Sequence, residues 1–566
     1  MTSDASRLQS PPPGEAAVSR QAFVLPATVE QLLWVASVFW TLTANRSFFG
    51  AALKGRALTD LDTWSFVLAL GMLLVALHFL LLAILANRWT VKPLLAVLLV
   101  ATALATHFMQ VYGVYLDPSM LRNVIHTDFG ESRELFSWDL LPQLMVYAGL
   151  PLLLLWRVEI VHRRRVWSAL GRRLAALLLA AVAVGGASLL VFKPLSSLLR
   201  NHKEVRYLVT PANFLWSLAS VTATEARGAT VPRQPIGLDA VLGPGWEARR
   251  RPMVVVLVVG ETVRAANWGL NGYARQTTPE LARQPLISFA DVTSCGTNTE
   301  VSVPCLFAPV GRRAYDAARI SGSESLLHVL ARAGVGVHWR DNQSGCKGVC
   351  DGLSYEDVMS LAPPGLCANG RCLDAGLLHG LDERLAKARG TQFLVLHQLG
   401  NHGPAYFRRY PPAFARFQPA CENDDLNLCS PAEIVNAFDN ALLYTDHVLA
   451  SLIAKLQAQA DKVDTALIYV SDHGESLGEN QLFLHGVPYA IAPQEQTRVP
   501  MFMWFSEGLQ HAAKIDTACL QRRARQPVSH DHLFHTLIAL FDVRTALYEN
   551  DWDLLYGCRS GRPVAS

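Results

Sequence analysis

The 566-residue chain carries three segments whose residue types suit metal-assisted phosphoryl chemistry. Gly260-Glu261-Thr262 follows the apolar run Met253–Val259. His397, then Gly400-Asn401-His402-Gly403-Pro404, follow Phe393–Leu396. Ser471-Asp472-His473-Gly474-Glu475 follows Ala466–Val470. Ligands of open α/β sheets bind beyond the carboxyl ends of the strands. Glu261, His402, Asp472 and His473 are therefore delivered to one edge of one sheet. Carboxylate with imidazole suits zinc, which takes N, O and S donors at four positions. An aspartate after one strand is more often a turn or a helix cap. Three such strand ends in one domain favour a site.

A nucleophile can come from Ser294-Cys295-Gly296-Thr297-Asn298-Thr299-Glu300. A threonine hydroxyl needs a metal or a base to act at neutral pH. A short helix or turn through Val303-Pro304-Cys305 would offer backbone N–H groups to an anion. The segment alone does not choose between Thr297 and Thr299, and both can equally be helix caps.

These residues need a scaffold. Met253–Val259, Val335–Trp339, Phe393–Leu396 and Ala466–Val470 are dense in Val, Ile and Leu without alternation, as strands of a sheet covered on both faces are. Helical stretches at Ser325–Ala333 and Ala432–Gln457 lie between strands, so an α/β sandwich is expected. All ten cysteines follow residue 294, and the first eight form four locally spaced pairs. That pattern points to disulfides and an oxidising compartment. The rival, thiolate zinc binding at Cys346/Cys350 and Cys367/Cys372, fits the spacing but not the topology below.

Hydrophobic residues make up 51% of the chain and charged residues 17%. The excess lies before residue 195, in five apolar stretches: Val29–Phe49, Trp64–Ala86, Pro93–Val114, Leu140–Trp156 and Leu174–Phe192. Spanning a bilayer takes about 20 helical residues. The loop holding Arg157, Arg163, Arg164, Arg165, Arg172 and Arg173 should be cytoplasmic, as should Arg88–Lys92. The loop Tyr115–Asp139, with Asp117, Asp128, Glu131, Glu134 and Asp139, is then external. An odd number of spans sends the cysteine-rich half outside as well. Residues 1–28 read as a cytoplasmic tail without signal-peptide order, 29–192 as a five-helix membrane domain, 193–251 as a linker, and 252–566 as the catalytic domain. Within the linker, Tyr207–Val221 reads as an interfacial or an ordinary helix. A net charge of +3 does not suggest nucleic-acid binding.

The chain resembles the lipid A phosphoethanolamine transferases, the family that includes the mobile colistin-resistance enzymes. The resemblance runs from about residue 30 to the end. It is carried by Val-Val-Gly-Glu-Thr-Val-Arg-Ala (258–265), Ser-Cys-Gly-Thr-Asn-Thr (294–299), Asn-Gln-Ser-Gly-Cys-Lys-Gly-Val-Cys (342–350), Asn-His-Gly-Pro (401–404) and Ser-Asp-His-Gly-Glu-Ser-Leu-Gly-Glu (471–479). It implies a C-terminal sandwich of alkaline phosphatase/sulfatase-like type behind the helical membrane domain. It implies Thr299 as nucleophile and Glu261, Thr299, Asp472 and His473 as ligands of one or two zinc ions. It implies Lys347, His402 and His485, with Gln343 nearby, as contacts of the phosphoethanolamine group; His397 by itself reads as structural. Disulfides 295–305, 346–350, 367–372, 421–429 and 519–558 follow from it too. So do a phosphatidylethanolamine donor, a lipid A acceptor, contact with membrane lipids, and a monomer in the inner membrane of a Gram-negative cell with its catalytic domain in the periplasm. The loop Met120–Asn123 through Thr127-Asp128 also resembles that family and suggests lipid binding. Transfer to Kdo, core heptose or periplasmic glucan, and phosphoglycerol transfer, are the enzymatic rivals. Sulfatase activity fits less well, because no Cys/Ser-x-Pro-x-Arg motif occupies the nucleophile loop. The non-enzymatic rival is a zinc-binding lipid sensor or scaffold.

Overall fold

The structure, a computed structural model, describes residues 25–127, 132, 134–135, 138–161, 166–230, 233–246, 249–368 and 370–559. Most of the expected tail (1–24), Asp128, Glu131 and Arg163–Arg165 lie outside the described residues.

Among the described residues, four helices are long and apolar enough to cross a membrane: Leu61–Leu85, Val91–Val111, Leu140–Arg157 and Trp167–Asn201. The expected first span is not one helix. It divides into α1 (Val29–Thr43) and α2 (Arg46–Leu53). The break falls at Asn45, which is fully buried. Its Nδ2 donates to Trp40 O at 2.9 Å and Thr210 O at 2.8 Å, and its Oδ1 accepts from Thr210 N at 3.0 Å. A side chain that satisfies backbone groups lets a helix stop inside an apolar region. Leu140–Arg157 has a π-helical turn at Met145–Gly149, between Pro142 and Pro151. Proline lacks the N–H that the ladder needs. The last helix extends beyond the expected Phe192, running through Pro194 to Asn201. A further helix, Ala212–Thr230, stands where a linker helix was expected.

The C-terminal half is built on a seven-stranded sheet. We label its strands β1 (Met253–Gly260), β2 (Ile287–Phe289), β3 (Gly336–Asp341), β4 (Ser354–Asp357), β5 (Thr391–His397), β6 (Asp464–Ser471) and β7 (Met501–Phe505). Their spatial order is β2-β7-β6-β1-β5-β3-β4. Strands β6, β1, β5, β3 and β4 are parallel, whereas β7 runs antiparallel to β6 and β2. All eight residues of both β1 and β6 are buried. That burial is why these strands read as continuous apolar runs. Two large apolar clusters cover the two faces. One face carries the helix Pro431–Gln457, started by a Ser430/Glu433 capping box. All five expected disulfides are present.

The two halves share a core. Tyr112, Val114, Leu116 and Met120 belong to the same apolar cluster as Tyr406, Leu426 and Leu484. The helix Pro118–His126 thereby packs on the C-terminal half. Leu467, fully buried in β6, belongs to the same cluster. Leu467→Ala is expected to cost about 2–5 kcal/mol, read as a lowered midpoint in denaturant titration of the detergent-solubilised chain.

Candidate active site

Strands β1 and β6 are adjacent and parallel, with Gly260 paired to Ser471. Glu261 and Asp472 therefore leave the sheet side by side. Glu261, Asp472 and His473 are fully buried, and their ligand atoms lie within 4.8 Å of one another. Asp472 Oδ1 accepts from Thr262 N at 3.2 Å and His473 N at 2.7 Å. Its Oδ2, also buried, has no hydrogen-bond partner among the described residues. His473 Nδ1 donates to Gly474 O at 2.9 Å, which turns Nε2 towards the cluster. Nε2 lies 3.2 Å from Glu261 Oε1 and 3.3 Å from Asp472 Oδ2. This donor set suits a divalent cation.

The electrostatics agree. Burial and the neighbouring Glu261 push Asp472 up to about 6. Burial opposes charge on His473, but Asp472 and Glu261 overcome it and raise the imidazole to about 9. Glu261 is likewise held below the carboxylate range: burial raises it, and His473 more than offsets that. Two carboxylates this close demand positive charge between them.

Thr299 opens the helix Thr299–Leu306, whose cap Asn298 accepts from Val301 N at 3.1 Å. Thr299 Oγ1 lies 3.2 and 3.1 Å from the Glu261 oxygens and 3.3 Å from His473 Nε2. The Thr297 hydroxyl instead donates to Val487 O at 2.7 Å. The Cys295–Cys305 bridge ties the start of the loop to the helix behind it. A residue not singled out in the sequence, His530, fixes both parts of the site. Its Nδ1 accepts from Cys295 N at 3.1 Å, and its Nε2 donates to Ser471 O at 3.0 Å. Nothing near it in sequence signals this role.

His402 and His485 meet edge to face, with ring centroids 5.3 Å apart, and His485 lies 4.5 Å from the His473 ring. Burial holds His402 well below its ordinary 6.5. His485 Nδ1 donates to Glu475 Oε2 at 2.8 Å, and Glu475 Oε1 accepts from Tyr406 Oη at 2.7 Å. Gln343 Nε2 donates to Glu261 Oε2 at 3.2 Å. The Lys347 side chain is 6% exposed beside the Thr299 loop, 2.9 Å from Glu300 Oε1 and 2.7 Å from Ser344 Oγ. Glu300 also meets His126 from the membrane half at 3.2 Å. His397 is locked to Asp341 at 2.8 Å. Asp341, which Trp339 Nε1 and Gly345 N also bond, was legible in principle as the end of a strand.

This edge on a mixed sheet, joined to membrane-crossing helices, is the arrangement of a membrane-anchored sulfatase-like enzyme. Residues 253–543 match the Sulfatase family, and residues 74–226 match the family described as Phosphoethanolamine transferase EptA/EptB. The chain is 37% identical to phosphoethanolamine transferase EptA of Escherichia coli K12, over 93% of this chain and 96% of the relative. It is also 37% identical to phosphatidylethanolamine transferase Mcr-1 of Escherichia coli, over 92% and 95%. The solved integral membrane lipooligosaccharide phosphoethanolamine transferase A of Neisseria meningitidis superposes with a TM-score of 0.90 at 36% identity, covering 95% of this chain and all of that one. The chain belongs to the phosphoethanolamine transferase family and is a multi-pass membrane protein.

Two outcomes follow from the geometry. Gly400 has φ +55°, and a Cβ there would stand 2.5 Å from Glu261 O and 2.9 Å from Glu261 N. Gly400→Ala should displace Glu261 and weaken metal affinity about 10–100-fold, measured by titrating metal into stripped protein. Burial lowers His530 to about 3. Its contribution to stability is complete above the unfolded value of about 6.5 and is lost as pH falls towards about 3, at up to about 1.4 kcal/mol per pH unit. His530→Gln should flatten that acid slope in denaturation curves collected from pH 7 to 4.

Proposed function

We propose that the chain transfers phosphoethanolamine from phosphatidylethanolamine to a phosphate of lipid A, at the periplasmic face of a Gram-negative inner membrane. The observation that carries this reading is the Thr299 hydroxyl, 3.1–3.3 Å from Glu261 and His473 at a helix N-terminus. The relatives' names supply the transferred group, and the membrane half supplies access to lipid.

Glu261, Asp472 and His473, with Thr299 as the fourth donor, would hold zinc. Bound there, zinc would lower the hydroxyl pKa and polarise the phosphoryl oxygens. Thr299 Oγ1 attacks phosphorus and gives up its proton. The bond from phosphorus to the diacylglycerol oxygen breaks, and diacylglycerol leaves with a proton. A lipid A phosphate oxygen then attacks the phosphoethanolamine-threonine, and Thr299 recovers its hydroxyl. His402, kept neutral by burial, is suited to accept a proton; His485, oriented by Glu475, is suited to give one. The helix N-terminus beneath Thr299 favours the anion. Lys347, paired with the neighbouring Glu300, adds positive charge beside the transferring group, and Gln343 steadies Glu261.

Thr299→Ala should reduce transfer by on the order of 10³-fold or more. Mass spectrometry of lipid A from cells making this variant reads the result. Lipid A modified to the wild-type extent would refute the scheme.

A further inference from the structure

A cavity of about 670 Å³ opens in the membrane half, at the end away from the catalytic cluster. It lies between the start of α1, residues 87–89 after the helix Leu61–Leu85, and the first turns of the last helix. The helix Val91–Val111 begins beside it and ends at the opposite side, at Tyr112, which shares an apolar cluster with Tyr406.

Two neighbouring arginines of the last helix line this cavity, and they are used differently. Arg173 is engaged by the chain. Its Nη2 donates to Ala83 O and, at 2.8 Å, to Ala86 O, and its Nη1 lies 3.8 Å from Glu30 Oε1. It thereby caps the carbonyl end of Leu61–Leu85. The Nε of Arg172 is buried and has no hydrogen-bond partner among the described residues, and Arg172 forms no ion pair among them. A buried N–H without an acceptor is costly, so Arg172 is a donor suited to an oxygen from outside the chain. Both α1 and the last helix begin beside the cavity, and helix N-termini favour anions.

The rest of the wall is apolar. Val29, Trp89 and Leu170 line it. Trp89 and Leu170 are also exposed, as is Trp167 one turn before Leu170, so the wall continues onto the surface that lipid covers. A ligand that satisfies both parts offers an anion to Arg172 and an alkyl chain to Trp89 and Leu170. An anionic phospholipid has both; free phosphate lacks the second. Basic pockets between membrane helices receive such headgroups. The last helix has only 17% of its most apolar stretch buried, so a lipid seated here adds a contact between that helix and α1.

We propose that this cavity binds the phosphodiester headgroup of an anionic membrane phospholipid, with Arg172 as its cationic contact, and that the bound lipid ties the last helix to α1. The site is separate from the transfer site and does not depend on the acceptor.

The test uses the full chain in detergent, stripped of lipid and titrated with phosphatidylglycerol, which lacks the ethanolamine group. Native mass spectrometry counts bound lipid, and thermal unfolding reads its effect. Phosphatidylglycerol should bind saturably and raise the Tm of the wild-type chain. Arg172→Gln should weaken its apparent Kd about tenfold, while Arg172→Lys keeps most of the affinity. Leu170→Gln leaves the charge in place and should weaken lipid binding severalfold, which keeps the test open if Arg172→Gln folds poorly. Arg200→Gln, at the other end of the same helix, should change nothing. An unchanged Kd in both Arg172→Gln and Leu170→Gln overturns the proposal. So does equal weakening by Arg200→Gln, which would mark unspecific attraction to charge. Inorganic phosphate that binds as tightly as phosphatidylglycerol would overturn the lipid as the source of the anion.

Discussion

The site depends on two carboxylates held together out of water. Strands β1 and β6 lie side by side and end in register, so Glu261 and Asp472 emerge as neighbours with no exposed surface. Buried like charges at this separation are strongly unfavourable unless a positive charge stands between them. The Asp472 carboxyl is pushed up and the His473 imidazole is raised, both responses to that demand. The other parts of the site are arranged around it. His473 presents one nitrogen because the other is held by Gly474 O, and Gln343 braces Glu261. Gly400 passes so close to Glu261 that a side chain has no room.

The hydroxyl is positioned by separate means. Asn298 caps the helix that starts at Thr299, and the Cys295–Cys305 bridge ties the preceding loop to its end. His530 hydrogen-bonds the backbone of that loop and the end of β6, so the Thr299 loop and the strand bearing Asp472 share one brace. For the transfer proposed above, such rigidity sets the reacting geometry before substrate arrives.

The membrane half does more than anchor. The segment after its helix Val91–Val111 packs into the same apolar cluster as the C-terminal half and places His126 on Glu300 and Glu134 among Arg371, Arg408 and Arg409. A soluble domain acting on lipids needs a fixed approach to the bilayer, and these contacts set one.

Much of this was legible in the residue order. Doubly covered parallel strands are uninterrupted apolar runs, so β1, β5 and β6 stood out, and the residues just past them held Glu261, His402, Asp472 and His473. The cysteine count and spacing marked a disulfide framework, but the pairings came from the resemblance, among them Cys519–Cys558 across 39 residues. The choice between Thr297 and Thr299 came from resemblance, since both hydroxyls share one segment; the fold turns one to Val487 O and the other to Glu261. The interruption of the first apolar stretch could not be read locally, because Asn45 stops the helix by bonding Thr210, 165 residues away. His530 and the pairing of Glu134 with three arginines were hidden for the same reason. Local sequence determines which segments are buried and which residues follow them, because burial and turn chemistry act over a few residues. Which distant side chains meet is decided by packing, because hydrogen bonds and ion pairs depend on separation in space and not along the chain.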